Sequence, residues 1–518
     1  MGGLFGGGGS GGSAPTALSS LRVSTSVLGR CVPWVFGTPR VAPNLIQYDD
    51  FSAIAHRQKQ GGKGAGGGAT TTTYTYTAAV IMALGGYVDR VGTIWIAKDK
   101  TNAAARRLDF YNGSYTQPVH PHWAAKHPAT ALAYHGISYL ASAAYDLGDS
   151  GELAAHSVEV YTPTRISDSI LDARPGDVFR AIITDPVDGL GLSADVLGDM
   201  SQFDNYCMAN GIWISPCYDE QAPTHERLTR IAEIGHSAIM RSEGKITLVP
   251  YSDAVASGNG VTYTPNRAPL FDLSADHFQA SDQPVRVKRA SLADANNHFQ
   301  ITYLNRASDY NDATVEAKDL AHIEKYGLRT AEPDDYHEIC DGAVAQKLVN
   351  FKRDRALSVR NTYEFDLDGR FEWLEETDIV TLNYAPDGLN KTPAMITRRE
   401  ENEDGTIKFE AEDYPLGAQA PTRQTVQPNL STTIDFNVAA GSVNPPVVFE
   451  PSLTLTNGQP QIWAAVSGGA NFGGAHVWAS LDNTTYDHIG VIQTPARQGV
   501  LTAALPSLAG IDTANTLA

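Results

Sequence analysis

The sequence predicts a β-rich α+β protein built from several domains. Its 518 residues exceed what one hydrophobic core can serve, and at about 150 residues per domain they divide into three or four. Hydrophobic residues make up 42% and charged residues 19%, the balance of globular material and not of a disordered chain. Period-two runs bounded by Gly and Pro recur along most of the chain, and helical stretches collect in the middle.

Residues 1–14 form a Gly-rich arm, with eight glycines in the first twelve positions. Such a segment is costly to order, so if it is ordered something outside its own fold holds it. Residues 15–120 read as a first β-domain, with short strands from Leu21 to Phe51 broken by Gly29, Pro33, Gly37, Pro39 and Pro43. A Gly/Lys-rich insertion over 58–73 interrupts it. The alternating Thr73-Tyr74-Thr75-Tyr76-Thr77 then runs into Ala78-Ala79-Val80-Ile81-Met82, a strand with one wet face and a more buried end. Val91–Ala97 reads as its hairpin partner.

Residues 121–255 are mixed α/β. Helices are expected over Trp123–Tyr134, from Pro175 to Ile183, over Ser193–Asn210 ended by Gly211, and from an N-cap at Thr224 to Ile234. Strands are expected over Ser157–Tyr161 and Ile212–Tyr218, with a hairpin over Ala238–Tyr251 turning at Glu243-Gly244-Lys245. Residues 256–416 form a second β-domain with strands between Phe271 and Asn311. Its helix spans 334–355 and places Cys340, Val344, Leu348 and Phe351 on one stripe. Strands Ser358–Leu367 and Asp378–Asn383 follow, then a hairpin with Asp404-Gly405 at its turn. Residues 417–430 are a polar linker, and 431–518 read as a small β-sandwich with Asn457-Gly458 as one hairpin turn. Its pattern trails off at Thr516-Leu517-Ala518, as in a module that continues in a longer parent chain or is completed by a neighbour.

Lysine and arginine total 39 against 58 acidic residues, a formal charge of −19, which argues against sequence-specific nucleic-acid binding. The first twelve residues carry no secretory pattern, and no apolar run reaches the length of a membrane-spanning helix. Four cysteines (Cys31, Cys207, Cys217, Cys340) do not make a disulfide framework, so synthesis in a reducing cytoplasm is expected. Cys207 and Cys340 fall on helical stripes and read as core thiols.

Catalytic constellations are missing. Gly61-Gly62-Lys63-Gly64 fails the phosphate-loop pattern, which needs a glycine at Arg57 and a hydroxyl at Gly64. Gly191-Leu192-Ser193-Ala194-Asp195 lacks the second glycine of a nucleophile elbow. Asp366-Leu367-Asp368-Gly369 begins like a calcium loop without completing it and reads as a turn. His120, His122, His127 and His135 cluster within sixteen residues, and His120 and His122 flank Pro121 on an extended segment that could share a metal. No acidic or cysteine partner sits nearby at a recognisable metal-ligand spacing, so surface or packing roles are favoured. No catalytic residue, cofactor or metal is expected.

Several stretches, in order, resemble one family. They are Met1-Gly2-Gly3-Leu4-Phe5-Gly6-Gly7, Leu21-Arg22-Val23-Ser24-Thr25-Ser26, and the run from Pro33-Trp34-Val35-Phe36-Gly37-Thr38-Pro39-Arg40 to Ile46. The Gly/Lys-rich insertion and Thr-Tyr-Thr-Tyr strand follow, then Lys126-His127-Pro128 with Ala131-Leu132-Ala133-Tyr134, Tyr218-Asp219-Glu220-Gln221, and Glu243-Gly244-Lys245-Ile246 leading to Val249-Pro250-Tyr251. Over roughly residues 1–415 the chain is similar to the putative phage tail protein family, whose members form the central hub of tailed-phage baseplates and tail tips. Gly85-Gly86-Tyr87-Val88 departs from the acidic Gly-Pro turn that the family pattern carries there.

The resemblance implies a structural virion protein, made in the host cytoplasm and built into a tail tip or baseplate. It implies hub β-barrel-like domains with the α/β region inserted, followed by a fibronectin-like sandwich. It also implies a homotrimer that closes or continues the tail tube and serves host attachment and DNA ejection. Its partners would be the distal tail protein, the tape measure protein, and tail tip and fibre proteins. On this reading Thr73, Tyr74, Thr75, Tyr76 and Thr77, with Ile94, Trp95 and Ile96, contribute to a tube-like ring. Gly2, Gly3, Leu4 and Phe5 become ordered against neighbouring chains, and acidic residues suit a lumen through which DNA slides. Two alternatives stand beside it, a tail-associated cell-wall hydrolase and a carbohydrate-binding adhesin displaying Trp463 and Trp478.

Overall fold

The computed structural model describes residues 22–23, 31–59, 70–97, 99–417, 441–469 and 472–496. The arm residues Gly2, Gly3, Leu4 and Phe5 lie outside them. The chain divides into two units, residues 1–433 and 434–518. Strands dominate and helices are few, as expected of a β-rich α+β chain. The sheets of the first unit stay open, however, and among the described residues none closes into a barrel. Each ends on strands that pair on one side only.

The part of the first unit that matters most begins with two long strands, β1 (Asn44–Lys59) and β2 (Thr70–Gly85). After them come β3 (Asp109–Asn112), helix α1 (Pro121–Lys126) and β4 (Ser138–Gly148). They form an antiparallel sheet in the order β1-β2-β4-β3. The C-terminal half of β2 is buried on both faces. Ala78, Val80, Met82 and Leu84 face a second sheet through Val41, Ile94, Val158 and Val160, while Ala79 and Ile81 pack with Trp123, Tyr139 and Ala141.

The expected pairing of Thr70–Met82 with Val91–Ala97 does not form. Arg90–Ile96 lies in the second sheet, between His156–Tyr161 and Asp99–Thr101. The connection after β2 has its backbone donors taken by strands of both sheets. Val88 donates to the Asn112 carbonyl at 2.9 Å and Asp89 to the Tyr161 carbonyl at 2.8 Å. The chain therefore crosses between sheets where a tight turn would have folded it back.

A buried polar knot fastens this sheet pair to the rest of the unit. Gly37 sits at φ +65°, and a Cβ there would lie 2.3 Å from the Ser215 hydroxyl. Thr38 donates its backbone N–H to that hydroxyl at 3.0 Å. Ser215 in turn donates to Asp172 at 2.6 Å, and the Arg306 guanidinium clasps the same carboxylate, with one contact of 3.1 Å. Tyr310 completes the knot by donating to the Thr38 carbonyl at 2.8 Å and to Glu159 at 3.0 Å. Burial alone would lower the Arg306 pKa, but the hydrogen bond and charge of Asp172 outweigh it and raise it. Trp34, Phe36 and Tyr218 cluster beside the knot, and the Arg227 guanidinium lies 4.4 Å over the Tyr218 ring.

The helices Pro175–Thr184, Ser201–Asn210, Thr224–Ile234 and Gly342–Ser358 enclose the largest core. Element boundaries here and in α1 correct four sequence expectations, three of helices and one of a strand. Trp123–Tyr134 is helical only as far as Lys126, because Pro128 disfavours the α conformation at His127, which sits at φ −131°. Ser193–Asn210 is split into a short 3-10 turn at Ala194–Val196 and the helix from Ser201, since Gly198 donates its N–H to the Ile246 carbonyl. The long helix starts at Gly342, capped by Asp341, because Asp334–Tyr336 is drawn off as a parallel strand beside His298–Asn305. Ile212–Tyr218 is a strand only at Cys217–Tyr218, paired with Trp34–Val35. Cys207 and Cys340 are buried core thiols as expected.

The Glu243-Gly244 turn forms as read, with both residues at positive φ, 50° and 77°, as a two-residue antiparallel hairpin requires. Downstream, a six-stranded sheet runs Phe271–Ser274, Ile379–Tyr384, Leu389–Glu401, Thr406–Asp413, Asn361–Asp368, Val285–Arg289. Asp366 to Gly369 ends one of its strands in a 3-10 turn capped by Asp368. The second unit, in its described residues, holds two separate strand pairs, Val447–Phe449 with Trp463–Ala465 and Ala475–Ala479 with Asp487–Ile492. Asn457-Gly458 lies within the long connection of the first pair and does not join its strands directly. Trp463 and Trp478 are 41% and 56% exposed, so neither is a core residue of the described fold.

Arg306→Met leaves Asp172 charged, buried and short of its main partner. It should cost about 3–5 kcal/mol in urea unfolding. A second outcome concerns pH. His236 is fully enclosed, stacked 4.2 Å from Phe351, and burial, with Lys347 repulsion second, pushes its imidazole down to about 3. Its folded pKa lies below the unfolded value of about 6.5, so the unfolded chain binds the extra proton first. Stability from this group is complete above pH ~6.5 and falls toward pH ~3, by at most about 1.4 kcal/mol per pH unit. His236→Phe should flatten that part of the acid-unfolding profile measured by circular dichroism.

Candidate assembly surface

The sheet β1-β2-β4-β3 does not run the full length of its two long strands. β4 pairs with β2 only from Tyr76 onward, at Tyr76↔Gly148 and Thr77↔Asp146. Beyond that point Ser52–Lys59 and Thr70–Thr75 are in register with one another and have no other strand partner among the described residues. Every side chain from Ser52 to Arg57 is exposed, although strand alternation would normally turn half of them inward. Ile54 is 47% exposed. The outcome is a two-stranded ribbon whose Ser52–Arg57 strand is wet on both faces while Tyr74 of its partner leans on the core, and a lone strand pair is only marginally stable in water.

The sequence-predicted ring residues divide between this ribbon and the interior. Thr73 is exposed, Tyr74, Thr75 and Thr77 are half-buried, and Tyr76 is buried against Phe51, its ring 5.5 Å away. Ile94 and Trp95 are buried within the chain's own cores, and Ile96 is half-buried. As strand partners the structure therefore joins Thr73–Thr77 to Ser52–Arg57 and not to Ile94–Ile96, although Tyr76 and Ile94 share one hydrophobic cluster. The β1 half was missed because its Ser-Ala-Ile-Ala-His-Arg sequence has no period-two signal. The ribbon carries Arg57 and Lys59 and, from Ser52 outward, no carboxylate, so it does not itself supply an acidic lining.

At the base of the ribbon β1 has a bulge. Asp49 pairs with Ala79 and Ser52 with Thr77, so Asp50 and Phe51 together oppose Ala78. Asp50 takes φ 51°, the left-handed conformation that such a bulge calls for. The bulge turns two consecutive carboxylates toward α1. Asp49 accepts the Trp123 indole N–H at 2.7 Å, and Asp50 meets the Nε2 atoms of His122 at 2.7 Å and His127 at 3.0 Å. Those hydrogen bonds, the one from His127 first, hold the Asp50 carboxyl below the usual carboxylate range. His120 stands apart from this group, 3.2 Å from Asp109, and His135 faces the Gln117 carbonyl at 3.1 Å. His122 and His127 thus find their acidic partner on β1, more than 70 positions away.

Residues 224–399 match the family described as "Putative phage tail protein". The similarity to this family spans that segment of the chain. The resemblance read from the sequence is borne out there, over the helix from Thr224, the Glu243-Gly244 hairpin and most of the six-stranded sheet. No curated protein matches the chain. A chain of the virion of a native gene transfer agent particle is 19% identical, with 81% of this chain and 92% of that one covered and a TM-score of 0.55. It shares the fold. The prophage MuSo2 43 kDa tail protein from Shewanella oneidensis is 12% identical over 74% of this chain and 97% of that one, at a TM-score of 0.29. A tail protein from Neisseria meningitidis MC58 is 10% identical over 75% and 99%, also at 0.29. These two are too distant in shape to bear on the argument.

Trp123 is 1% exposed, and its indole hydrogen bond to Asp49 fixes α1 on the bulge. Trp123→Phe removes a hydrogen bond to a charged acceptor and should lower stability by about 2 kcal/mol, read as an earlier thermal-denaturation midpoint.

Proposed function

We propose that this chain is a structural protein of a phage-type tail, acting as a trimeric hub at the distal end where it closes or continues the tail tube. The observation that carries this reading is the ribbon Ser52–Lys59 with Thr70–Thr75, which runs on beyond the firm sheet with every side chain from Ser52 to Arg57 exposed. A strand pair of that kind is a hazard in a solitary protein, because its free edge and faces invite unspecific pairing. In a ring of copies the same features become the joint, each ribbon lying against the next and burying its Thr/Tyr face and Ile54.

The family similarity over 224–399 and the fold shared with a chain of the gene transfer agent virion support placing that ring in a tail. The firm parts of the first unit, locked by the Arg306 knot, would then act as the wedge that presents the ribbon. The distal tail protein and tape measure protein are the partners proposed on the tube side, with tip and fibre proteins on the outer side. The second unit, with Trp463 and Trp478 half exposed, is proposed as the decorating module that holds fibres or meets the host surface. The function is mechanical, host attachment and DNA delivery, with no catalytic step.

The test is a charge placed on the ribbon. Thr73→Lys together with Ile54→Lys alters only exposed side chains, so the thermal midpoint of the isolated chain should move by no more than about 0.5 kcal/mol equivalent. Particles assembled with the variant should lack the protein or end in open tubes by electron microscopy. Normal tails that contain the doubly substituted chain would sink the proposal.

A further inference from the structure

We propose that Asp50, His122 and His127 form a binding site for a divalent transition-metal ion, of the class that Zn2+ and Co2+ represent. Two imidazole Nε2 atoms converge on one carboxylate oxygen, at 2.7 and 3.0 Å, and the three donor atoms lie within 4.8 Å of one another. Metal–ligand bonds of about 2.0–2.1 Å place neighbouring donors about 3.3 Å apart in a tetrahedral shell. The two His–Asp contacts therefore need to lengthen by only about 0.3–0.6 Å for an ion to enter between them.

The donor set selects the ion. Two neutral imidazoles and one carboxylate suit Zn2+, Co2+ or Fe2+, whereas Ca2+ and Mg2+ call for oxygen shells. Access is open, since the His122, His127 and Asp50 side chains are 13%, 26% and 38% exposed. Three protein ligands leave at least one position for water or for a donor from outside the chain.

The elements that carry the donors are fixed independently of any ion. The bulge sets Asp50 at φ 51°, and the adjacent Asp49–Trp123 hydrogen bond holds α1 at the required distance. His122 packs edge-on against Trp123 at 5.2 Å between ring centroids, which sets its ring direction. His127 is the C-cap of the helix, turned out of the helical path ahead of Pro128. A bound ion would cross-link the base of the ribbon to α1, replacing two hydrogen bonds by coordination bonds. This site does not depend on the hub reading, and its test needs no assembly.

The experiment uses the purified full chain, stripped with a chelator and titrated with Co2+ alone. One Co2+ per chain is expected, with the intensified visible absorption of a low-symmetry N/O site, displaced by one equivalent of Zn2+. Asp50→Asn and His127→Gln keep the side-chain size and should each weaken uptake. Losing a ligand costs at least as much as losing a partner outside the coordination shell, about 10–100-fold in affinity. His135→Ala, which removes no ligand, should leave uptake unchanged. Melting curves of the stripped variants confirm folding. Absence of stoichiometric uptake by the natural sequence, or undiminished uptake in folded Asp50→Asn and His127→Gln, would overturn the site.

Discussion

The buried ion pair of Arg306 with Asp172 is the constraint on which the first unit depends. It joins four pieces of chain that are remote in sequence: the Gly37–Thr38 turn, the segment ending at Asp172, Ser215 and the end of the strand His298–Asn305. A half-buried arginine beside so enclosed a carboxylate is tolerable because its donors are spent on that carboxylate, a hydroxyl and a carbonyl at once. The knot also explains the glycine. Any side chain at position 37 would press on the Ser215 hydroxyl that passes the network from Thr38 to Asp172. The first sheet pair, the α/β region and the end of the strand His298–Asn305 are therefore fastened through one shared point.

The ribbon is the counterpart of that rigidity. Its inner half is clamped between two cores, through Ala78, Val80 and Met82 on one face and Ala79 and Ile81 on the other. Of its outer half only Tyr74 still reaches a core, and Ser52–Arg57 reaches neither. The change occurs at the Asp50–Phe51 bulge, where α1 grips β1 through the indole and both imidazoles. A bulge increases local twist and re-aims the strand beyond it, so the same feature that positions the carboxylates also sets the direction in which the ribbon leaves the sheet.

Local chemistry was readable where a residue's conformation is decided within a few positions of itself. Glu243-Gly244 announces a two-residue turn, Gly211 ends a helix in the left-handed conformation, and the Pro175 start and Ile234 end of two helices stand where the sequence puts them. Boundaries failed wherever a distant backbone competed. Asp334–Tyr336 has helical surroundings but is claimed by the strand His298–Asn305, and Gly198 is claimed by Ile246. The Thr-Tyr strand was recognisable from its alternation, while its partner was assigned wrongly, because proximity in sequence favoured Arg90–Ile96 and the intervening backbone bonded elsewhere.

By itself the sequence determined the β-rich character, the periodic strand of Thr73–Met82, the tight turns, the core thiols and the family signature, all of which rest on short-range patterning or on residue order. Tertiary structure alone decided which strand lies beside which, that Ile94 and Trp95 face inward, and that Asp50 meets His122 and His127. Those outcomes come from long-range hydrogen bonds and from a bulge whose extra residue has no periodic trace. A pairing between positions 50 and 122 is a property of folded geometry, fixed by packing across the intervening chain and invisible to any local window.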